Sequence, residues 1–532
     1  MADPRDDKRL FWACFVSLVA TAFGFIVRAL IIDQWGTEFG LSQTQKGEIF
    51  GVGLWPFAIS IILFSLIIDR IGYGTAMIFA FVCHLTSVLV TILAPRYFDP
   101  YWSLWVGTLI VALGNGTVEA VINPVAATLF PREKTKWLNM LHAGWPAGLV
   151  IGGIIAIFMG AVAWEWKVAL ILLPTAIYGL MMLTCKFPVS ERVAAGVSYR
   201  DMLREFGAGG ALIAGGLIVW ELTRVGNALA MNAGAEGLAN DAMFWTRIVL
   251  TAGITLLFAG LTRSLGRPLF LFMLLIMIPL ATTELGTDSW IASLMEPVMN
   301  NFGLAGGWVL VYTSFLMMVL RFFAGPIVHK LSPIGLLATS AAVAAIGLVA
   351  LSQVQAAVLV LVAATIYGFG KTFFWPTMLG VVAEQSPRGG ALTLNATGGV
   401  GMLGVGVVGA VFLGYIQDTS IEQKLALDDP QIHAQVVEEK RWVFGTLEAV
   451  DPQKAESLGP AEQEQIDSIT AVAKQNALAT VAIFPVIMLF CYVALFLYFR
   501  AKGGYQAEVL TGHDHPELDA KFTGGVVGAA DK

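Results

Sequence analysis

Runs of about twenty apolar residues recur along this chain of 532 residues, each long enough to cross roughly 30 Å of hydrocarbon as a helix. Their approximate bounds are 10–32, 48–68, 74–94, 102–129, 138–161 and 168–186, then 207–224 and 243–263, then 268–296, 306–328, 333–352, 356–383, 393–416 and 476–499. These fourteen segments predict an all-α multi-pass membrane protein. A composition 57% hydrophobic and 13% charged agrees. Cys14, Cys83, Cys185 and Cys491 all fall inside apolar segments, so neither a disulfide framework nor a metal site is expected. Met1 to Arg9 is polar and leads straight into an apolar run, which reads as a retained first span rather than a signal peptide.

Basic residues fix the expected orientation. Arg5, Lys8, Arg9, Arg70, Arg132, Lys134, Lys136, Arg192, Arg200, Arg204, Arg263, Arg267, Lys330 and Arg388 all fall on one side of this map, against Lys46, Arg96 and Lys167 in the opposite short loops. Positive-inside bias then puts both termini in the cytoplasm, with the chain in the cell inner (plasma) membrane. The polar stretch 418–475 falls on the outer side and reads as a solvated linker with partly helical spacing, or as a lid over the outer mouth. The tail 501–532 reads as a disordered cytoplasmic end.

The chain also repeats itself. Pro131-Arg132 followed by Leu138-Asn139 matches Pro387-Arg388 followed by Leu394-Asn395, and the same offset pairs Gly114 with Gly370, Gly148 with Gly404, and Gly153 with Gly409. Asp69-Arg70 corresponds more loosely to His329-Lys330. Matching loops lie on the same side, as in parallel repeats related by an axis along the membrane normal. The expected organisation is a six-helix bundle over 1–190, a linker and two inserted helices over 191–264, and a second six-helix bundle over 265–500 carrying the insertion 418–475. A cleft between two such halves is the architecture of a secondary transporter.

Within the fourth span of this plan, Asn115, Glu119 and Asn123 are spaced four apart and stack on one helical face. A charge at membrane depth costs roughly 2.5–3.5 kcal/mol, so Glu119 must face a cavity or a partner. A solute path and a buried polar knot both satisfy that demand. Asn123-Pro124 and Leu138-Asn139 add to the pattern. Ser65-Leu66-Ile67-Ile68-Asp69-Arg70-Ile71-Gly72 has the Asp-Arg-x-Gly centre of the cytoplasmic loop signature of the major facilitator superfamily, and Arg321-Phe322-Phe323-Ala324-Gly325-Pro326 resembles its degenerate second copy. Glu119, Asn123-Pro124 and Leu138-Asn139 look most like the fucose/glucose/galactose–proton symporter group, over about forty residues. That resemblance implies the superfamily's fold, with two six-helix bundles plus two extra central helices, and alternating access. It implies gating roles for Asp69, Arg70 and Arg321, and a functional Glu119. The acid that those symporters carry in the first span is missing: the neighbourhood reads Phe25-Ile26-Val27-Arg28-Ala29-Leu30.

In this superfamily the first, fourth, seventh and tenth spans line the cavity, which here points to Arg28, Glu119, Glu284 with Asp288, and Lys371. Lipid exposure of five such groups would cost roughly 12–17 kcal/mol. Glu119 and Lys371 are expected to approach each other across the cavity, and Arg28 to serve as counter-ion to Glu284 and Asp288. Trp145, Trp290, Phe374 and Trp375, with Asn115, Asn123, Asn139, His142 and Asn395, suit a sugar-sized polyol. Arg28 and Lys371 suit an anionic solute such as a sugar acid or small carboxylate equally well. The solute and proton coupling stay open, as does a transporter-like sensor that binds without flux. Gly368-Phe369-Gly370-Lys371-Thr372 lacks the spacing of a phosphate-binding loop, which argues against ATP-driven pumping. No enzyme activity, cofactor, metal or nucleic acid is expected, and the protein is expected to be a monomer in the bilayer.

Overall fold

The computed structural model describes residues 4–510 apart from 42, 161, 233–236, 301, 304–305, 355, 443–444, 452–453, 456 and 509. Among them, 13 helices are long and apolar enough to cross a membrane, or 14 when the pair Gly307–Phe322 and Ala324–Leu331, bent by 70°, counts as one span. The first half holds spans 1 to 6: Asp7–Ile32, Gln45–Ile71, Tyr73–Arg96, Pro100–Leu129, Lys134–Ala156 and Trp164–Met182. Tyr199–Ala230 and Asp241–Thr262 follow as the inserted pair. Spans 7 to 12 are then Pro268–Gly286, the bent pair, Pro333–Gln353, Val358–Gln385, Pro387–Asp428 and Pro460–Ala501.

The two halves pack by the same rule, which gives the sequence repeat its physical content. A Cβ on Gly114 in span 4 would sit 2.8 Å from Cys83 Cβ and 3.2 Å from the Ala80 carbonyl of span 3. One on Gly370 in span 10 would sit 2.3 Å from the Ala344 amide nitrogen of span 9. Both glycines therefore exist to let two helix backbones touch. Gly148 presses likewise on Ala22 of span 1, and Gly404 on Ile278 of span 7. The offset that carries Asn139 onto Asn395 also carries Ala22 onto Ile278 and Arg28 onto Glu284.

The inserted helices pack on each other and on spans 7 and 11, outside the two halves. Gly207 (φ +60°) bends the first of them where its backbone meets Gly266, and a Cβ there would overlap the Gly266 nitrogen at 2.0 Å. At the far end Arg224 holds Glu221 through two bonds of 2.6 and 3.0 Å.

Two parts of the chain are more ordered than their polarity implies. In the stretch 418–475 the described residues form helices, a strand pair and a small core, not a solvated linker. The helix Ala410–Asp428 prolongs span 11, the helix Pro430–Val436 follows, and the strands Val437–Trp442 and Gly445–Val450 pair antiparallel. Leu425, Ile432, Val436, Ile466 and Ile469 form its small core. The start of the tail is also docked. Tyr505 donates to Glu384 (2.7 Å), the Glu508 amide donates to the Glu384 carbonyl (2.8 Å), and Glu508 pairs with Arg267. Residues 511–532 lie outside the described residues.

Candidate functional site

Proline decides the local structure of the site. A proline has no N–H, so the carbonyl four residues earlier in a helix loses its partner. Pro124, Pro146 and Pro376 thereby release the carbonyls of Ala120, His142 and Thr372. All three are buried, and all three are taken up by side chains. Asn395 Nδ2 donates to the Ala120 carbonyl at 2.9 Å. Arg321 donates through Nη1 to the His142 carbonyl (2.8 Å) and through Nε to the Thr372 carbonyl (2.7 Å). Asn395 and Arg321 belong to the second half, while Ala120 and His142 belong to the first. Two of the three bonds thus tie the halves together.

Arg321 is 1% exposed and donates its remaining nitrogen to Glu284 Oε1 at 2.7 Å. The other Glu284 oxygen accepts the Trp375 amide at 3.0 Å. This corrects the loop assignment of Arg321: it lies in the middle of the bundle, at the break that bends span 8. The loop counterpart of Asp69-Arg70 is His329-Lys330, which ends the helix before a turn at Ser332 (φ +59°), as Asp69-Arg70 precedes Gly72 (φ +79°). Asp69 pairs with Arg192, both nearly buried, and Arg70 lies over the Tyr199 ring at 5.1 Å, so this loop clamps the segment after span 6.

Two further expected pairings are corrected. Lys371 does not meet Glu119; it is fully buried, pairs with Asp288, and lies 5.1 Å from the Tyr367 ring centre. Arg28 is not the counter-ion of Glu284 or Asp288, because Arg321 and Lys371 hold those acids. Glu284 lies in the π-helical turn Thr282–Gly286 and Asp288 just after it, and each acid has its own base, Arg321 for Glu284 and Lys371 for Asp288, which offsets their repulsion.

Among the described residues, no opposite charge is bonded to Arg28 or Glu119. Arg28 donates to the Gly24 carbonyl of its own helix (2.8 Å) and to Ser87 (2.9 Å), and its Nε bonds to no group. Glu119 accepts from the Asn123 amide at 2.7 Å, and Asn123 in turn accepts from His142 Nε2 at 2.8 Å. Asn115 accepts from His84 Nε2 (2.9 Å), whose Nδ1 accepts from the Tyr178 hydroxyl (3.0 Å). His84 and Tyr178 were not singled out in the sequence: a lone histidine in an apolar span carries no signal until its partner is known.

A cavity of about 250 Å³ lies between the halves. Arg28, Asn115 and Asp288 reach it, but its wall is mainly apolar and aromatic, with Phe25, Trp35, Phe50, Phe57 and Trp145. Phe25 stands 5.6 Å from Phe50 and 5.7 Å from Trp145 between ring centres. A narrower space of about 30 Å³ is lined by Glu119, His142, Glu284, Arg321 and Trp375. Asn139 and Asn395 line neither space. Asn139 donates to Thr377 of the second half (3.1 Å) as Asn395 donates to Ala120 of the first, so the repeated Leu-Asn pair forms a two-sided latch. The side chain of Trp290 lies outside the described residues.

Beyond the latch the halves are sealed at the end where Arg70, Lys134, Arg192 and Arg388 gather. Lys134 holds Glu191 (2.7 Å) and reaches the Ala383 carbonyl (3.3 Å). Glu384 accepts from the Thr135 amide and hydroxyl (3.1 and 2.6 Å). His329 meets Glu133 at 3.3 Å. Glu133 titrates below the ordinary carboxylate range: partial burial opposes its charge, but Lys136 and His329 outweigh it. The larger cavity, bounded by Trp35, Ile49 and Thr108, lies towards the opposite end.

Two pseudo-equivalent helical halves around a central cavity, sealed at one end, define a multi-pass membrane transporter. Residues 13–410 match the family model of the Major Facilitator Superfamily, and the chain belongs to that family. It is 23% identical over 188 residues to a gentisate transporter of Corynebacterium glutamicum, an alignment spanning 35% of this chain and 41% of that protein. Its fold is similar to that of the proton:xylose symporter XylE of E. coli (TM-score 0.57, 11% identity, 92% of this chain and 96% of that one). It is also similar to the E. coli fucose:proton symporter FucP (0.51, 14%, 89% and 98%) and to the human organic anion transporter TETRAN (0.54, 10%, 91% and 99%).

Proposed function

We propose that this protein carries a small organic anion with an apolar body across the cytoplasmic membrane by alternating access, together with a proton. The observation that carries the reading is Arg28: a buried guanidinium to which, among the described residues, no carboxylate is bonded, set in the wall of a mainly apolar, aromatic cavity. A charge so placed is costly unless a ligand neutralises it, and a planar fork of donors matches a carboxylate. The neighbouring rings of Phe25, Phe50 and Trp145 offer flat faces to an aromatic or aliphatic body. The similarity to a protein described as a gentisate transporter supports an aromatic acid as the first candidate. Glu119 is the buried acid of the site to which, among the described residues, no base is bonded, Arg321 being committed to Glu284, and we assign it the proton. The sealed basic end is then the cytoplasmic one, and the cavity serves uptake from outside.

A neutral sugar is the second reading. It is favoured by the Asn115 amide held at the cavity by His84, and by the similarity in fold to symporters described as carrying xylose and fucose. Uptake by purified protein in liposomes separates the two. Gentisate and benzoate, against xylose and fucose, would be tested with and without an inward pH gradient. The anion reading expects saturable carboxylate uptake that Arg28→Gln abolishes. It also expects Glu119→Gln to keep exchange but lose pH-driven accumulation. Sugar uptake indifferent to Arg28→Gln would overturn it.

A further inference from the structure

The inserted helices, which pack outside the two halves, line a second space. A crevice of about 460 Å³ opens between the inserted pair and spans 7 and 11, within the size range of small-molecule pockets, roughly 300–1,000 Å³. Its walls include Gly216, Leu217, Ile248 and Ile278. It faces the bilayer, because the helix Asp241–Thr262 has none of its apolar stretch buried within the protein.

One charge stands at the crevice. Arg247 stacks on the Trp220 ring, 4.0 Å from its centre, and donates to the Thr223 hydroxyl at 2.9 Å. Among the described residues no carboxylate bonds to it, since Glu221 is held by Arg224. Arg224 and Glu221 hold each other, which leaves Arg247 with the Trp220 ring and the Thr223 hydroxyl as its partners among the described residues. Arg247 lies roughly 10 Å along the helix from its first residue, Asn240, within reach of the headgroup layer for a long side chain that extends towards it.

The inner end of the crevice touches the solute path. In the π-helical turn Val405–Gly409 of span 11, Val405 and Gly406 line the central cavity while Val407 and Val408 line the crevice. One helical turn therefore separates the two spaces. Such turns lack the regular ladder of an α-helix and adjust more readily.

We propose that the crevice is a binding site for an anionic phospholipid, whose phosphate is held by Arg247 and whose acyl chain lies against the Val407-Val408 face of that turn. A phospholipid fits on both counts: its headgroup supplies the charge that Arg247 lacks, and its chain fills an apolar slot open to the bilayer. The occupied crevice supports the cavity wall from behind, so lipid occupancy and solute affinity are linked, each favouring the other.

The test needs no knowledge of the solute. Protein purified from bilayers of mixed phosphatidylglycerol and phosphatidylcholine is examined by native mass spectrometry, counting the lipid it retains. The parent is expected to retain phosphatidylglycerol preferentially. Arg247→Gln should bind it about tenfold more weakly, the scale of one lost charge-assisted pair. Gly216→Phe, which fills the slot and leaves Arg247 in place, should exclude it as well. A Cβ at Gly216 meets only Thr251, at 3.5 Å, so the backbone tolerates the change. Equal retention by parent and both variants, or retention blind to the headgroup, overturns the proposal. Either result leaves the anion-carrier reading standing, since retention is measured without transport.

Discussion

Asn395→Ala tests the latch at its most exposed logical point. In the sealed state Asn395 supplies the hydrogen bond that Pro124 denies to the Ala120 carbonyl, at 2.9 Å across the two halves. Removing the amide loses that bond and leaves a buried acceptor unsatisfied, about 1–3 kcal/mol. When the halves part at that end, water reaches the carbonyl, so the cost falls on the sealed state alone. The equilibrium should shift towards opening by about 5–150-fold. A reporter is available at Ala127, which is nearly buried beside Pro387 at the sealed end. With Cys14, Cys83, Cys185 and Cys491 replaced and Ala127→Cys introduced, the maleimide labelling rate should rise by that factor in Asn395→Ala. Thr397→Ala is the control, because among the described residues the Thr397 hydroxyl bonds to the Thr393 carbonyl of its own helix (2.8 Å) and to nothing in the other half. Equal labelling rates in Asn395→Ala and the parent, with both proteins folded, would refute the latch and the role assigned to the Leu-Asn repeat.

Other expectations follow from the buried pairs and the proposed stoichiometry. Arg321→Gln strands Glu284 and should lower stability by about 3–5 kcal/mol; Arg321→Gln with Glu284→Gln should recover part of that loss, and a double-mutant cycle by thermal melting checks it. Lys371→Met should likewise destabilise through Asp288, with recovery by Asp288→Asn, while pairing the change with Glu119→Gln should bring no recovery; rescue by Glu119→Gln would restore the cross-cavity pair that the structure replaces. A monoanion carried with one proton moves no net charge, so uptake should not respond to membrane potential. A neutral solute with one proton would instead gain about 2.3 kcal/mol per 100 mV, which a valinomycin-imposed potential would reveal.

Span count, the inserted pair and the twofold repeat were legible in the chain because each rests on local or periodic information. An apolar run of twenty residues meets hydrocarbon wherever it lies, and a glycine repeated at a fixed offset marks the same helix contact in both halves, as Gly114 and Gly370 do. The charged positions at membrane depth were legible for a similar reason: their cost does not depend on the partner. Polarity misled at 418–475, where five apolar side chains spread over about forty-five residues close a core that no single window displays. It misled again at the tail, where Tyr505 and Glu508 find their partners on span 10 and at Arg267, just before span 7.

The pairing of the charges was decided by the tertiary structure alone. Sequence spacing puts Glu284 and Asp288 on one face, but the π-helical turn and the bend of span 8 deliver Arg321 to the first and Lys371 to the second. Among the described charges at the central cavity, that leaves Arg28 and Glu119 with no opposite charge bonded to them. Their freedom is a remainder, defined only after every neighbour has been assigned. A one-dimensional pattern fixes which groups must be satisfied; which of them stay available for solute and proton depends on distances between segments hundreds of residues apart.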